Sequence, residues 1–151
     1  MSPIKIGFVG LSAKGWASRA LAPGLLDPSL SSSYLLTAVS TTSAESAEAS
    51  AKKYSEAVGH TVKAYYGDTS KIANDPEVEL VAVSVKAPAH KAALLPAIEA
   101  GKDIFVEWPA GVGLKESTEL AEAAKRKGIR TMIGLQARQS PVVAKVIKEI
   151  H

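Results

Sequence analysis

The sequence predicts an α/β domain: a doubly wound parallel sheet of about six strands with helices on both faces. Two observations predict it. Short Val/Ile-rich runs, nearly continuous in apolar character, alternate with helical patterns from one end of the chain to the other. Such runs are expected of parallel strands covered on both sides and joined by right-handed crossovers. The second observation is a glycine-spaced turn that follows the first run and opens the first helical segment. Together they favour the Rossmann-type strand order 3-2-1-4-5-6 over a five-stranded arrangement.

The elements follow in order. Strands are expected at Ile4–Val9, Tyr34–Ser40, Val62–Tyr65, Glu79–Ser84, Asp103–Glu107 and Arg130–Leu135. Helices are expected at Gly15–Gly24, Ala44–Val58, Pro88–Ala100 and Lys115–Lys127, with a short helical turn over Thr69–Asn74. Asp27–Ser33, with Pro28 and a triple serine, reads as a surface loop. Gly101 and Gly128 fall where helix C-terminal glycines belong. Glu122 and Arg126 are spaced as a helical i,i+4 pair. Ser140-Pro141 reads as an N-cap with proline in the first turn. After it Val142, Val143, Val146, Ile147 and Ile150 form one apolar stripe at helical spacing.

Composition narrows the classes. The 151 residues, 46% of them hydrophobic, suffice for one ordinary domain with a real core. There is no cysteine, which excludes a disulfide framework, a thiolate metal site and a cysteine nucleophile. No apolar run approaches the ~18 residues of a membrane span, and the N-terminus runs straight into a strand pattern without a secretory signal. The expected location is therefore the cytoplasm, or the nucleus for a regulator. A net charge of +3, widely dispersed, gives no ground for direct nucleic-acid binding. His60 and His151 lack metal-ligand spacing, and no metal is expected.

The glycine turn carries the first functional signal. Gly10-Leu11-Ser12-Ala13-Lys14-Gly15 has the six-position spacing of a dinucleotide turn, with serine in the middle glycine's place. Gly10 makes the tight turn, and Gly15 is expected to let helix and strand pack closely. The helix N-terminus offers free N–H groups to phosphates. Ser12 adds bulk where clearance matters, or donates its hydroxyl to a phosphate oxygen; Lys14 lies on the same turn. Trp16, just inside the helix, is expected to pack against the sheet, with cofactor contact as the alternative. At the end of the second strand Ser40-Thr41-Thr42-Ser43 stand where an acidic residue usually holds the ribose. Ser40 and Thr41 could meet a ribose or a 2′-phosphate, the latter with Lys52 or Lys53 nearby. NAD and NADP are thus both candidates, and a simple serine cap for the helix at Ala44 is the competing reading.

From Glu79 onward the chain resembles the glucose–fructose oxidoreductase/inositol dehydrogenase/MocA family. The residues that carry this are Val81-Ala82-Val83-Ser84 with Pro88 and His90, Ala100-Gly101-Lys102-Asp103-Ile104-Phe105-Val106-Glu107, Trp108-Pro109, and Ala123–Gly128. Arg138 with Pro141 completes them, and with the first strand the resemblance covers essentially the whole chain. Gly7–Leu11, Lys14–Ala17, Phe105–Trp108 and Leu135–Pro141 are most similar to the branch of the fungal galactose-regulon repressors. That branch implies an oxidoreductase-like fold acting through protein contacts, with a dinucleotide as a modulating ligand. The resemblance also implies cofactor contacts from Glu107 and Arg138.

Two departures bear on activity. The family's enzymes carry Glu-Lys-Pro where this chain has Glu107-Trp108-Pro109, and tryptophan cannot replace a lysine that polarises or protonates an oxygen. Trp108 can instead stack on a planar ligand or plug a strand end. The family also has a second domain bearing substrate and acid/base residues, whereas this chain stops at His151. The expectation is one Rossmann-type domain over 1–151, with apolar surface uncovered around Val142–Ile150 and hence a homo-oligomer or protein partner. The catalytic candidates are weak: His90, expected as a solvated residue or an acid/base, Lys86 on the same loop, and Trp108. Three roles follow: a dinucleotide-binding module acting by ligand and protein contacts, the N-terminal half of an NAD(P)-dependent dehydrogenase, or a non-redox cyclase or isomerase of fungal secondary metabolism using the vacated cleft.

Overall fold

The computed structural model describes residues 2–150. Six parallel strands form one sheet in the order β3-β2-β1-β4-β5-β6. They are β1 (Ile4–Val9), β2 (Tyr34–Thr41), β3 (Lys63–Tyr66), β4 (Leu80–Val83), β5 (Asp103–Glu107) and β6 (Thr131–Gly134). The expected order and the expected strands are all present, with ends shifted by a residue or two. Between β1 and β2 the register slips at Ile6/Gly7, so Thr37 is the extra residue. Its hydroxyl donates to the Ile6 and Glu77 carbonyls, 3.2 and 3.3 Å away.

The helices are α1 (Trp16–Ala20), α2 (Ala22–Leu25), α3 (Ala44–Val58), α4 (Ser70–Ala73), α5 (His90–Glu99), α6 (Leu114–Lys127) and α7 (Pro141–Ile150). The single helix expected over Gly15–Gly24 is instead two short ones broken at Leu21. Pro23 explains the break: it has no N–H for the Arg19 carbonyl, and its ring crowds that turn. Within the expected loop Asp27–Ser33, a 3-10 turn over Pro28–Leu30 is capped by Asp27. Gly59 and Gly128 close α3 and α6 with φ of 74° and 66°, a left-handed conformation that suits glycine. The Glu122–Arg126 pair is not among the ion pairs of the described residues. Instead Lys91 pairs with Glu119, and Lys127 with Glu99 at 2.9 Å, tying α5 to α6.

Each sheet face has its own core. On one face α4, α5 and α6 bury Ile72, Leu94, Ile98 and Leu120 against Val81, Val83, Ile104 and Val106. On the other, α1 and α3 bury Ala17, Ala51 and Tyr54 against Phe8, Leu36 and Val39. Each fully buried aliphatic side chain contributes roughly 1.5–3 kcal/mol. On the second face Ala82 of β4 is still buried and Leu80 and Phe105 partly so, whereas Met132 of β6 is exposed, so the cover thins toward the β6 edge.

Candidate functional site

Parallel strands deliver every β-to-α turn to one edge, the carboxyl edge, where ligands bind in this architecture. Here the turns after β1, β2, β3 and β4 enclose a cleft of ≈ 510 Å³. Gly10, Ser12, Ser40 and Thr41, four of the residues expected at a cofactor site, line it. So do Thr42 of the expected hydroxyl run and Ser46, Gly67, Asp68, Thr69 and Ser84, which sequence reasoning missed. The signal was available: Gly67-Asp68 and Ser84 directly follow the third and fourth strands, so the carboxyl-edge rule singles them out.

The glycine turn is built by two close approaches. Gly10 has φ of 90°, and a Cβ there would lie 2.1 Å from the Ser84 carbonyl oxygen, so only glycine fits. Gly15 behaves differently from expectation. A Cβ on it would meet no strand atom; it would sit 2.4 Å from Ser12 Oγ. The absent side chain at 15 therefore makes room for the serine that replaces the middle glycine. The Ser12 N–H donates to the Gly10 carbonyl at 3.0 Å and is not free for a phosphate. Ala13-Lys14 continue as a turn into the N-terminus of α1, whose first-turn N–H groups have no intrahelical partner. A run of N–H groups of this kind is an anion-binding concavity. The Ala13 carbonyl, on the back of the turn, accepts from Ser18 Oγ at 3.1 Å and Lys53 Nζ at 2.7 Å.

Lys53 is thereby drawn to the glycine turn and away from the end of β2, where it was expected beside a 2′-phosphate. At that end Ser43 caps α3, its Oγ accepting from the Ser46 N–H at 3.3 Å, as the competing reading held. Ser40 and Thr41 are buried, and Thr41 Oγ1 donates to the Ser43 carbonyl at 3.2 Å. Asp68 is the one charged residue lining the cleft. Its carboxylate accepts from the Ser70 N–H at 3.0 Å and from the Ser70 hydroxyl, and these bonds hold its pKa below the usual carboxylate range. Thr69, buried beside it, donates to the Ala93 carbonyl at 3.1 Å and joins α4 to α5.

The other expected site residues lie outside the cleft. Glu107, at the end of β5, accepts from Ser84 Oγ at 3.2 Å and from Gln136 Nε2 at 3.1 Å, so it braces the cleft wall from behind. Lys14, Lys86 and Arg138 are exposed and make no ion pair among the described residues. Trp16 is 53% exposed and does not pack on the sheet, because the buried position of α1 is its neighbour Ala17. Trp108 is 68% exposed and plugs nothing; the peptide bond to Pro109 is cis. His151 lies outside the described residues.

His90 corrects both expectations made for it. It is 1% exposed, with Nδ1 2.8 Å from the Pro109 carbonyl oxygen and Nε2 2.9 Å from that of Val85. Each ring nitrogen faces a backbone carbonyl, and the one that carries the proton donates to it, so the buried ring lies between the turn after β5 and the loop after β4. Its place was legible in helical spacing: 90, 93, 94, 97 and 98 form the buried stripe of α5.

The cleft thus joins a turn that only glycine can make to a lining of hydroxyl-bearing residues and one carboxylate. The family model described as "Oxidoreductase family, NAD-binding Rossmann fold" matches residues 4–135. Dehydrogenase aclE of Aspergillus oryzae is 39% identical over 97% of this chain and 39% of its own length. The galactose/lactose metabolism regulatory protein GAL80 of Saccharomyces cerevisiae is 29% identical over 94% of this chain and 33% of its own. Among solved structures, a super-repressor mutant of Gal80p from Saccharomyces cerevisiae superposes with a TM-score of 0.79 at 27% identity, covering 93% of this chain and 36% of that one. An NAD binding oxidoreductase from Klebsiella pneumoniae gives 0.79 at 28%, covering 99% and 39%. The chain thus spans little more than a third of these relatives. By sequence, by strand order and by its glycine turn, it belongs to the NAD-binding Rossmann-fold oxidoreductase family.

Proposed function

We propose that this chain is a dinucleotide-binding module that acts through ligand and protein contacts and does not transfer hydride by itself. The observation that carries the reading is the contrast within the carboxyl edge. Over β1 to β4 glycine backbone and hydroxyl-bearing residues line a cleft of ≈ 510 Å³. Beyond β5 the only group at the family's lysine position is an exposed tryptophan. A bound nicotinamide would supply the redox chemistry; this chain's residues would hold the nucleotide, and Trp108 at the family's lysine position has no proton to give. Glu107 is occupied by Ser84 and Gln136, and His90 by two carbonyls.

The lining also favours NAD over NADP. Asp68 is its sole charge, and Lys53 is engaged at the turn, so a 2′-phosphate would meet a carboxylate and no cation. Calorimetric titration with NAD, NADH, NADP and NADPH tests the reading. Micromolar binding of NAD, with NADP at least tenfold weaker, is the expected result. No binding at millimolar ligand would reduce the glycine turn to a packing relic.

A second reading, the N-terminal half of a dehydrogenase, is favoured by the 39% identity to dehydrogenase aclE. Saturable hydride transfer by the isolated chain would establish it against the first.

A further inference from the structure

Two neighbours on α3 hold the glycine turn from behind. Lys53 and Tyr54 reach the carbonyls of two successive turn residues, Ala13 and Ser12. Lys53 Nζ donates to the Ala13 carbonyl and to Ser18 Oγ, each at 2.7 Å. Ser18 Oγ in turn donates to the same Ala13 carbonyl at 3.1 Å. The Tyr54 hydroxyl faces the Ser12 carbonyl oxygen at 3.5 Å. Its buried ring lies under the ammonium, 5.2 Å from Nζ to the ring centre.

The ammonium's choice of partner is informative. Glu56, three residues on in the same helix, is spaced to pair with Lys53. Yet Lys53 is in none of the ion pairs of the described residues. It goes instead to a carbonyl 40 residues back in the chain, one that already has a donor in Ser18. The fold gains little from a second donor there. What Lys53 adds is a full positive charge that no carboxylate shares.

Peptide planarity sets where the donors of the turn face. In a trans peptide the N–H of one residue points opposite to the carbonyl of the residue before it. The Ser12 and Ala13 carbonyls are aimed at α3, so the N–H groups of Ala13 and Lys14 are aimed away from it. An ammonium on the Ala13 oxygen also polarises that peptide and makes the Lys14 N–H a stronger donor.

We infer that Lys53 is a positioning residue for the diphosphate of a bound dinucleotide: from behind the turn it fixes and polarises the Ala13–Lys14 peptide without touching the ligand. The inference rests on reading the cleft as a dinucleotide site and names the group that arms it.

The test is calorimetric titration of the whole chain with NAD, ADP and adenosine, the last by competition with NAD. Wild type is compared with Lys53→Met, Lys53→Arg and Lys115→Met, and urea unfolding of each is recorded. Lys115 is exposed on α6, on the other face of the sheet, and supplies the same change of net charge away from the turn. Lys53→Met should bind NAD and ADP roughly three- to tenfold more weakly, and adenosine within about twofold of wild type. Lys53→Arg should recover most of the loss and Lys115→Met should show none, with the same urea midpoint in all four proteins. The inference is overturned if Lys53→Met binds NAD and ADP as wild type does, if adenosine weakens equally, or if Lys115→Met reproduces the loss. Each of those results leaves the cleft a nucleotide site. A wild type that binds none of the three ligands would overturn the reading of the cleft, and the inference with it.

Discussion

The two edges of the sheet use the same residue types for opposite ends. At the amino edge charges are paired with one another. Lys63 bridges Asp75 at 3.0 Å and Glu77 at 2.6 Å, Tyr65 donates to Asp75 at 3.0 Å, and Arg130 pairs with Asp103. Lys102 spends its ammonium on the Asp75 and Val78 carbonyls, at 3.0 and 2.6 Å. At the carboxyl edge Lys14, Lys86, Asp68 and Arg138 make no ion pair among the described residues. One edge is satisfied within the chain and holds the fold; the other keeps donors open for something outside it. Substitutions at the first should therefore change stability alone, and those at the second should change binding first.

Gly10→Ala is the exception that sharpens this contrast, since it should break both. A Cβ 2.1 Å from a backbone oxygen, at φ of 90°, has no flexible neighbour to push aside. The expected loss is roughly 3–5 kcal/mol, from backbone strain and overpacking together, read from urea unfolding. The folded remainder should bind no nucleotide. A variant of wild-type stability would mean that the turn is not packed against Ser84 as described.

Asp75→Ala tests the amino edge. Its carboxylate is buried and accepts from Lys63, Tyr65 and the Glu77 N–H. Removing it should cost about 3 kcal/mol while NAD affinity of the folded protein stays within twofold. Acid should reproduce part of this loss. Burial raises the Asp75 pKa, but the Glu77 amide, Lys63 and Tyr65 outweigh it and leave the group below its ordinary value. A depressed carboxylate adds stability that is fully present above its unfolded pKa of about 3.9 and is lost as pH falls through the folded value. Wild type should therefore lose stability more steeply than Asp75→Ala below about pH 4. Parallel curves for the two proteins would show that Asp75 does not carry the effect.

At the glycine turn the expected changes are smaller and coupled. Gly15→Ala should cost about 0.5–1 kcal/mol, because Ser12 Oγ must turn away to another rotamer. Ser12→Gly should be nearly neutral alone, and combined with Gly15→Ala it should recover most of the loss. A double-mutant cycle measures this, and additive effects would mean that the two side chains do not share the space.

How much of this was legible in the sequence depended on whether a local signal settled the matter. β1, β5 and α3 were read to the residue, because Ser43, Gly59 and the apolar alternation mark their ends. The break between α1 and α2 was equally local, and Pro23 announced it. His90 was misplaced because a histidine after a carboxyl-edge loop suggests chemistry, although its spacing with Ala93, Leu94 and Ala97 puts it on the buried stripe. Asp68 was missed because the acidic partner was sought after β2 and not after β3. The thinning of the second face's cover toward β6 was not legible at all. Leu80, Ala82 and Phe105 are apolar whether or not a helix lies on them, and only the count of crossovers per face shows where the cover thins.

The smallest expected effect falls at the open end of the carboxyl edge. Trp108→Ala removes a side chain that is 68% exposed, so stability should change by about 0.5 kcal/mol or less. If the cleft over β1, β2 and β4 is the whole of the binding site, NAD affinity should also stay within threefold. ADP-ribose, which lacks the nicotinamide, should then bind about as well as NAD. The chain has two tryptophans, so Trp16→Phe leaves Trp108 as a single fluorescent reporter. Equal quenching by NAD and ADP-ribose would confirm that the ring feels no nicotinamide. Selective quenching by NAD, with a tenfold or greater loss of affinity in Trp108→Ala, would mean at least about 1.4 kcal/mol of contact. The tryptophan at the family's lysine position would then be a stacking surface for the nicotinamide, and the boundary between the enclosed and open halves of this edge would shift past β5.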